Sequence, residues 1–512
     1  MKISLIRFFR KIKNLKYKKR VVLFLMIALI SLISISIYQI NKNSIIVFDE
    51  LMPEVEKLNT YDIDAVFYEE EKLIEGTEKI TYINKSKSNI KSICFHIYPN
   101  VFKSKETVPF EENEIDLAYM DGFEPGHINI NSVKSSKGDL SFLIIGKGNS
   151  VLKVNLDKEL EPGEKTNIYL DFMIKIPPTN GRFGFGDNTI NLGNWYPIVA
   201  VIDESGWNLD PYYSIGDPFF SDIANYRVVM SIPMNYVVAS TGDLIKKENI
   251  GDNYRWTFEA QKVRDFALVA SEKYKVIEAD VGDTSVRSYY FEDESAEKSL
   301  IAARDALEIF NKNFGKYPYK HFSVAAADFF IGGMEYPKLV LIDEGIYKRN
   351  DEMLEYIIVH ETAHQWWYGI VGNNQIKEAW LDEALTEYST LLYYEKKYGQ
   401  EAKNRIYKKM ILEGYNLYRD SNELESEVIL KSLDDFKNSR EYQSLVYCKG
   451  AMFLEYLRSE LGDEIFFDIL KVYFDKYKYK NATTENFFEI CEIISDKDLK
   501  NIFEKWLRGI NK

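Results

Sequence analysis

The stretch His360-Glu361-Thr362-Ala363-His364 lies within an apolar run, residues 353–368, that has the pattern of a helix. Its two histidines stand four positions apart, so on a helix their imidazoles project from one face, about one turn apart. That spacing allows two ring nitrogens to reach one Zn²⁺ at about 2.0–2.1 Å. The glutamate lies beside them, where its carboxylate can contact a metal-bound water without being a ligand. The stretch thus has the H-E-x-x-H pattern of a zinc site that carries its own general base.

The simplest alternative to a metal site is a pair of core histidines on an amphipathic helix. Histidine is rare in this chain, however, and occurs only five times. A chance match to a pattern that needs two histidines is correspondingly rare, so the metal site is the preferred interpretation.

A catalytic Zn²⁺ usually takes three protein groups and keeps one position for water, so a third ligand is needed. Residues 378–398 have the pattern of a second helix, and glycines and asparagines within residues 369–374 predict a turn before it. The turn brings the second helix back towards the first, so that Glu383 can face the two histidines. Glu387, one helical turn further on, is then a candidate acceptor for a ligand imidazole. The alternative for Glu387 is a solvated surface charge.

The spacing of His360, His364 and Glu383, with eighteen residues between the last two, resembles the zinc signature of the gluzincins, in particular the M1 family of zinc aminopeptidases. Two further stretches carry the resemblance. GGMEY at residues 332–336 stands where the family has G-x-M-E-N, and YCKG at residues 447–450 stands where it has Y-x-K-G. The resemblance covers roughly residues 60–512 and implies a thermolysin-like catalytic domain, one Zn²⁺ per chain and peptide substrates.

The resemblance also implies roles for residues around the metal. Glu361 would take a proton from the attacking water and deliver it to the leaving amine. The hydroxyl of Tyr447 would stabilise the oxyanion, and Glu335 would bind the free α-amine of the peptide. Glycines near Glu335 would let the substrate run close to the backbone, as an added peptide edge requires. The rest of this substrate-binding segment is Gly332, Gly333 and Met334.

The sequence departs from the family pattern in three places. Tyr336 occupies the position of the asparagine in G-x-M-E-N. The glutamine-containing motif that the family has further upstream is not evident, and residues 194–197 (NWYP) stand in that region. The chain ends at Lys512, whereas longer members continue into a large C-terminal helical domain. We therefore expect a short form with a more open cleft.

The pattern of the chain changes near residue 271. Strand-like stretches separated by turn signals run from Tyr61 to about residue 270, and helical periodicity follows, for example over residues 298–314. The predicted fold is multidomain. An antiparallel β-sandwich or saddle domain occupies residues 43–271, and an α+β, thermolysin-like zinc peptidase domain with a mostly helical C-terminal part occupies residues 272–512.

Residues 1–42 predict a basic tail followed by a transmembrane signal-anchor. The first twenty residues hold nine basic side chains and no acidic one, and residues 21–41 are uncharged and mostly apolar. As a helix, that run spans about 30 Å, the thickness of a bilayer core. The positive-inside rule then predicts a single-pass cell-membrane protein with its N-terminus in the cytoplasm and its catalytic domain on the external face. A cleaved signal peptide is the alternative, although no clear cleavage site follows the run.

The charge distribution limits the classes of function that the protein can have. Ten of the 65 basic residues precede the first acidic residue, Asp49, so the rest of the chain is more acidic than the net charge of −14 suggests. Such a body repels phosphates, which excludes nucleic acid as a partner. The preferred function is a membrane-anchored zinc metallopeptidase that removes N-terminal residues from peptides. The alternatives are an endopeptidase or dipeptide-releasing enzyme on the same zinc site, and a non-catalytic surface binding protein.

Overall fold

The computed structural model describes residues 58–292, 295–349, 351–421 and 427–509. The predicted basic tail and the anchor at residues 21–41 lie outside these ranges. Within them, no helix is long and apolar enough to cross a bilayer. The described residues belong to one compact unit, Lys57–Lys512.

Alternating apolar and polar side chains build the strands that precede residue 272. In β1, every second residue is buried, which is the period of a strand with one face on a core. The strands of this half are β1 Asn59–Tyr68, β2 Leu73–Ile83, β3 Ile90–His96, β4 His127–Ser135, β5 Gly138–Asp139, β6 Phe142–Ile145, β7 Val151–Leu160, β8 Lys165–Lys175, β9 Phe183–Phe185, β10 Ile190–Leu192, β11 Ile198–Val199, β12 Ile202–Asp203, β13 Gly206–Trp207, β14 Ala224–Pro233, β15 Val237–Ser240, β16 Asp243–Ile250, β17 Asn253–Val263 and β18 Leu268–Ser271.

Three larger sheets and one hairpin organise these strands. The largest sheet has the order β16-β17-β14-β1-β2-β8-β4-β5, and two four-stranded sheets have the orders β15-β18-β10-β9 and β11-β3-β7-β6. Strands β12 and β13 pair only with each other. Apolar side chains from all three larger sheets, such as Ile63, Phe95 and Leu192, meet in one buried core. The prediction of a β-rich first half is therefore confirmed.

The prediction that this half is wholly antiparallel is wrong at one pair of strands. β1 runs parallel to β14, with Asn59 opposite Ala224 and Val66 opposite Ser231, in the middle of the largest sheet. Neighbouring strands joined by a tight turn must be antiparallel, but β1 and β14 are separated by all of β2–β13. Their connection therefore imposes no direction, and the packing of the sheets decides it.

A mixed five-stranded sheet and a set of helices form the second half, and its predicted helical character is confirmed. The sheet order is β19-β20-β21-β23-β22. The strands of this sheet are β19 Lys275–Val281, β20 Thr284–Tyr290, β21 His321–Ala327, β22 Gly333–Met334 and β23 Leu339–Asp343. A separate two-stranded sheet consists of β24 Val371–Gly372 and β25 Lys480–Asn481. The α-helices of the described residues are α1 Ile115–Ala118, α2 Ala296–Asn313, α3 Glu344–Arg349, α4 Glu352–Ala363, α5 Trp380–Tyr398, α6 Gln400–Ile406, α7 Glu413–Arg419, α8 Ser439–Tyr442, α9 Gly450–Leu461, α10 Asp463–Tyr477, α11 Thr484–Ser495 and α12 Lys500–Arg508.

Helix α4 carries the H-E-x-x-H stretch, and it ends earlier than its apolar pattern predicts. Its N-cap is Asp351, whose side chain accepts a hydrogen bond from the backbone of Met353. The helix stops at Ala363 rather than at residue 368, because the backbone then folds into a turn. In that turn Tyr368 has a φ of 93° and its N–H donates to the carbonyl of Val371. This turn, fixed further by the pairing of β24 with β25, sends the chain back along α4 into α5.

Candidate metal centre and active-site cavity

Three side chains converge between α4 and α5. The Nε2 atoms of His360 and His364 lie 3.4 Å and 3.2 Å from Oε2 of Glu383. In a tetrahedral site with metal–ligand bonds of 2.0–2.1 Å, two ligand atoms are separated by about 3.3–3.4 Å. The observed separations match that value, and two imidazoles with one carboxylate are a donor set that Zn²⁺ prefers. The predicted ligands therefore come together in a geometry that fits one zinc ion.

The outer nitrogens of the two histidines are also bound, which orients both rings. Nδ1 of His360 lies 2.9 Å from Oε2 of Glu387, whose other oxygen accepts a hydrogen bond from the hydroxyl of Tyr356. Nδ1 of His364 lies 3.1 Å from the carbonyl oxygen of Trp367. Each Nδ1 can then carry the proton and leave Nε2 free for the metal. Glu387 is 5% exposed, so it is a buried partner of His360 and not a solvated surface charge.

The charges of the ligand carboxylate and of the two imidazoles depend on one another. Burial alone would lower the pKa of His360, but Glu383 and Glu387 outweigh it and raise the pKa to about 10. Burial alone would raise the pKa of Glu383, but the two histidines hold it well below its usual range. The carboxylates and imidazoles therefore stabilise each other's charged forms.

Glu361 lies beside the ligands on α4 and lines a cavity of about 350 Å³. It is 6% exposed, and its Oε2 has no hydrogen-bond partner among the described residues. Burial raises the pKa of its carboxyl to about 8, although the two histidines act in the opposite direction. Its position beside the ligands would let the carboxylate accept a proton from a water molecule there and return it.

The GGME segment forms one wall of the cavity. Gly333 and Met334 make up β22, which pairs antiparallel with β23, while Gly332 has a φ of 99°, in the region that favours glycine. Glu335 follows the strand, is buried and lines the cavity. The side chain of Met334 does not line the cavity in the part of the chain that is described. It is buried instead, and its sulfur accepts a hydrogen bond from Nε of Arg182 at 3.0 Å.

Tyr447 lies next to the ligand His360. It sits in a π-helical segment, Gln443–Lys449, and such local widenings of a helix are frequent at functional sites. Its ring lines the cavity and stacks on that of His360, with centroids 5.7 Å apart and planes 6° apart. Burial, with the charge of Glu383, raises the pKa of its phenol well above the usual value. The hydroxyl therefore stays protonated and can act as a hydrogen-bond donor.

Tyr336, the departure from the family asparagine, does not face the cavity. It is 3% exposed and packs in the core of the first half, where a Cβ on Gly193 would lie 1.7 Å from its hydroxyl oxygen. Only glycine at position 193 leaves room for this ring. Tyr336 therefore takes part in the contact between the two halves of the fold and not in the lining of the cavity. Within residues 194–197, Asn194 and Tyr196 donate hydrogen bonds to the buried carboxylate of Asp265.

Three polar residues near the site were missed by the reasoning from sequence. Arg182 and Asp217 form a buried ion pair that lines the cavity, and Gln375 is hydrogen-bonded to Glu335. None belongs to a recognisable motif, and Arg182 and Asp217 approach the site from a distant part of the chain. The one signal available for Gln375 was its place in the turn between the two predicted ligand helices.

Removing the outer partner of His360 tests this description. We expect Glu387→Ala to weaken metal binding about 10- to 100-fold, because the ring loses the acceptor that orients it. Competition with a chromophoric chelator would measure the dissociation constant of the metal. Glu387→Gln keeps an acceptor oxygen and should lose less. An alanine variant with wild-type affinity would show that this bond does not contribute to the metal site.

Comparisons with known proteins agree with this geometry. Residues 299–506 match the family model described as Peptidase family M1 domain. Glutamyl aminopeptidase of Homo sapiens is 24% identical over 376 residues, which cover 69% of this chain and 39% of that protein. Aminopeptidase N of Lactococcus lactis subsp. lactis is 28% identical over 212 residues, which cover 38% of this chain and 24% of that protein. The chain thus spans less than half the length of these two relatives.

The fold is shared with a solved structure. The M1 zinc metallopeptidase from Deinococcus radiodurans aligns with a TM-score of 0.64 at 16% identity, over 90% of this chain and 96% of that one. A helix with H-E-x-x-H and a second helix that returns a glutamate to it define the gluzincin class of metal centre. Residues 299–506, which hold this metal centre, are thus similar to the domain of peptidase family M1.

Proposed function

We propose that the protein is a zinc aminopeptidase that hydrolyses the first peptide bond of its substrates. The observation that carries this proposal is one cavity that holds the His360, His364 and Glu383 cluster, the unpartnered carboxylate of Glu361 and the buried carboxylate of Glu335. The curated relatives described above are named aminopeptidases. A mutant of the solved relative is described with a Tyr-Ser-Ala substrate bound.

Different residues of the cavity have different roles in the reaction. His360, His364 and Glu383 would hold Zn²⁺, which polarises the scissile carbonyl and acidifies the attacking water. Glu361 removes a proton from that water and returns it to the leaving amine. The hydroxyl of Tyr447 donates to the oxyanion as charge develops on it.

The same cavity positions the peptide before it reacts. The Glu335 carboxylate binds the N-terminal ammonium group. β22, at the edge of its sheet in the described structure, offers backbone groups along which an extended peptide can lie. These contacts place the first peptide bond, and no later one, at the metal.

An endopeptidase or a dipeptide-releasing enzyme would use the same metal chemistry. Glu335 favours the aminopeptidase, since a buried carboxylate near the metal position selects a free ammonium group over an internal peptide bond. A non-catalytic binding protein would not need Glu361 beside a complete ligand set. Both alternatives give distinct results in the experiment below.

Blocking the amine tests the aminopeptidase assignment. A charge-assisted hydrogen bond from a partly desolvated ammonium is worth roughly 1.5–3 kcal/mol. We therefore expect zinc-loaded protein to cleave free-amine peptides one residue from the N-terminus, about ten to a hundred and fifty times faster than their N-acetylated forms. Glu335→Ala should lose most of that preference, as measured by kcat/KM for both substrate forms.

Glu114 provides a matched control, because it also lines the cavity but lies in the first half of the fold, against the backbone of Glu111. Glu114→Ala should keep the preference for the free amine. Equal cleavage of both forms, or cleavage in mid-chain, would favour an endopeptidase. Absence of turnover with a full complement of zinc would favour a binding protein.

We also propose that the catalytic body is held at the external face of the cell membrane by a single N-terminal helix. The support is the block of nine basic residues before the apolar run at residues 21–41. External protease added to intact cells should digest the body but not an N-terminal tag. Protection of the body would reverse the orientation, and recovery of a soluble body without the N-terminal run would indicate a cleaved signal peptide.

A further inference from the structure

The turn between α4 and α5 places one side chain between two carboxylates of the site. Gln375 is 1% exposed, and its Nε2 donates to Oε1 of Glu335 at 3.0 Å and to Oδ2 of Asp382 at 2.7 Å. Within the described ranges, no other residue makes a hydrogen bond or an ion pair with the Glu335 side chain. The bond occupies one oxygen of Glu335 and leaves the other for a ligand.

The second carboxylate of this pair lies directly beside a metal ligand. Asp382 precedes Glu383 on α5, so the amide of Gln375 connects the carboxylate of Glu335 to the helix that carries the third ligand. The chain next to Gln375 is also held in place, because the backbone of Ile376 donates to the side chain of Asn374 and accepts from the backbone of Leu433. Glu335, which follows β22, and Asp382, which precedes the ligand Glu383 on α5, are thereby linked by two hydrogen bonds through Gln375.

The contacts of Gln375 show how it acts. Its Oε1 is buried without a hydrogen-bond partner in the described part of the chain, so its polar contacts are its donations to the two carboxylates. An amide nitrogen carries two N–H groups, which is the number that this bridge needs. A side chain of equal size without a donor would fill the same space and lose both bonds.

We propose that Gln375 is a positioning residue that sets the distance between the amine-binding carboxylate and the metal, and so restricts cleavage to the first peptide bond. The inference rests on the aminopeptidase function proposed above. A free glutamate side chain rotates about several bonds, and a displacement of about 1 Å at a reacting group can cost a hundredfold in rate. Donation to Oε1 removes that freedom at the residue that sets the register.

The test compares three full-length, zinc-loaded variants with the wild type. Gln375→Met keeps the length of the side chain and removes both donated bonds. Gln375→Asn keeps the amide but shortens the side chain, and it carries the test alone if the methionine variant does not fold. Asn373→Ala is the matched control, because Asn373 lies in the same turn and donates to Asp382 at 2.6 Å but has no bond to Glu335.

The readout is the ratio of kcat/KM for a free-amine peptide to that for its N-acetylated form, together with the products identified by mass spectrometry. We expect Gln375→Met and Gln375→Asn to lower that ratio about ten- to a hundredfold and to release dipeptides besides single residues. Asn373→Ala should keep the wild-type ratio even if its kcat falls. If Gln375 served folding alone, its variants would change kcat or the zinc content but would leave the ratio of the two kcat/KM values unchanged.

The possible outcomes are distinct. If the wild type discriminates between the two forms and both Gln375 variants discriminate equally well, the positioning role is overturned. If Asn373→Ala lowers the ratio as much as the Gln375 variants do, the loss of discrimination comes from the contacts of Asp382. The positioning role of Gln375 is then overturned as well. If the wild type does not discriminate, the aminopeptidase proposal itself fails.

Discussion

Glu361→Gln is expected to retain its zinc and to lose about 10²- to 10⁴-fold in kcat, which is the usual contribution of a general acid–base group. The substitution changes neither the ligands His360 and His364 nor the length of the side chain. Glutamine cannot accept a proton from the attacking water, so the chemical step is slowed while the site stays assembled. Elemental analysis would measure the metal content, and steady-state kinetics with free-amine peptides would measure kcat.

A matched control exists on the same helix. Glu355 lies on α4 but binds Tyr393 and Lys397, away from the cavity. Glu355→Gln should therefore stay within a few-fold of the wild-type kcat. Turnover of Glu361→Gln within the same range would remove Glu361 from the mechanism. Loss of zinc in this variant would mean that the site depends on Glu361 for its structure.

Tyr447→Phe is expected to lower kcat by about 10²- to 10³-fold with little change in KM. The hydroxyl contributes mainly when negative charge develops on the scissile carbonyl, so its loss affects the transition state more than substrate binding. The ring itself, which stacks on His360, is kept by phenylalanine. Kinetics under saturating and limiting substrate would separate kcat from KM.

Tyr442 supplies the control for this second variant, since it lines the same cavity and packs against the ring of Tyr447. Tyr442→Phe also removes one hydroxyl from the cavity wall. It should change kcat only slightly, because that hydroxyl has no assigned part in the reaction. Equal losses in the two variants, or a rise in KM with kcat unchanged for Tyr447→Phe, would contradict the oxyanion role.

The metal ligands were predictable because their arrangement depends on local geometry. Any helix that contains residues 360–364 presents its two histidines on one face. Eighteen residues separate His364 from Glu383. They are too few for a long loop but enough for a turn and the start of a second helix, which is why α5 was expected to fold back onto α4. The end of α4 was harder to predict, since the apolar residues after position 363 are buried in a turn as completely as they would be in a helix.

The strand directions and the outer contacts of the site were harder to predict from the sequence. Short turns in a sequence predict antiparallel pairs of neighbouring strands. The parallel pair of β1 and β14 could not be predicted in this way, because no turn joins those two strands. Glu387 had two interpretations, since its spacing on the helix was compatible with the metal centre and with solvent. Its burial against His360 resolves the alternatives.

Sequence alone was enough to identify the type of metal centre, the three candidate ligands and the general base, and the order of a β-rich half before a helical one. These properties follow from periodicity and spacing, which act over a few residues. The packed fold was needed to show that Tyr336 packs into the space beside Gly193, that Arg182 donates to Met334, and that Gln375 donates to Glu335. Each of those contacts joins segments far apart in the chain, and many packed side chains together determine which segments meet.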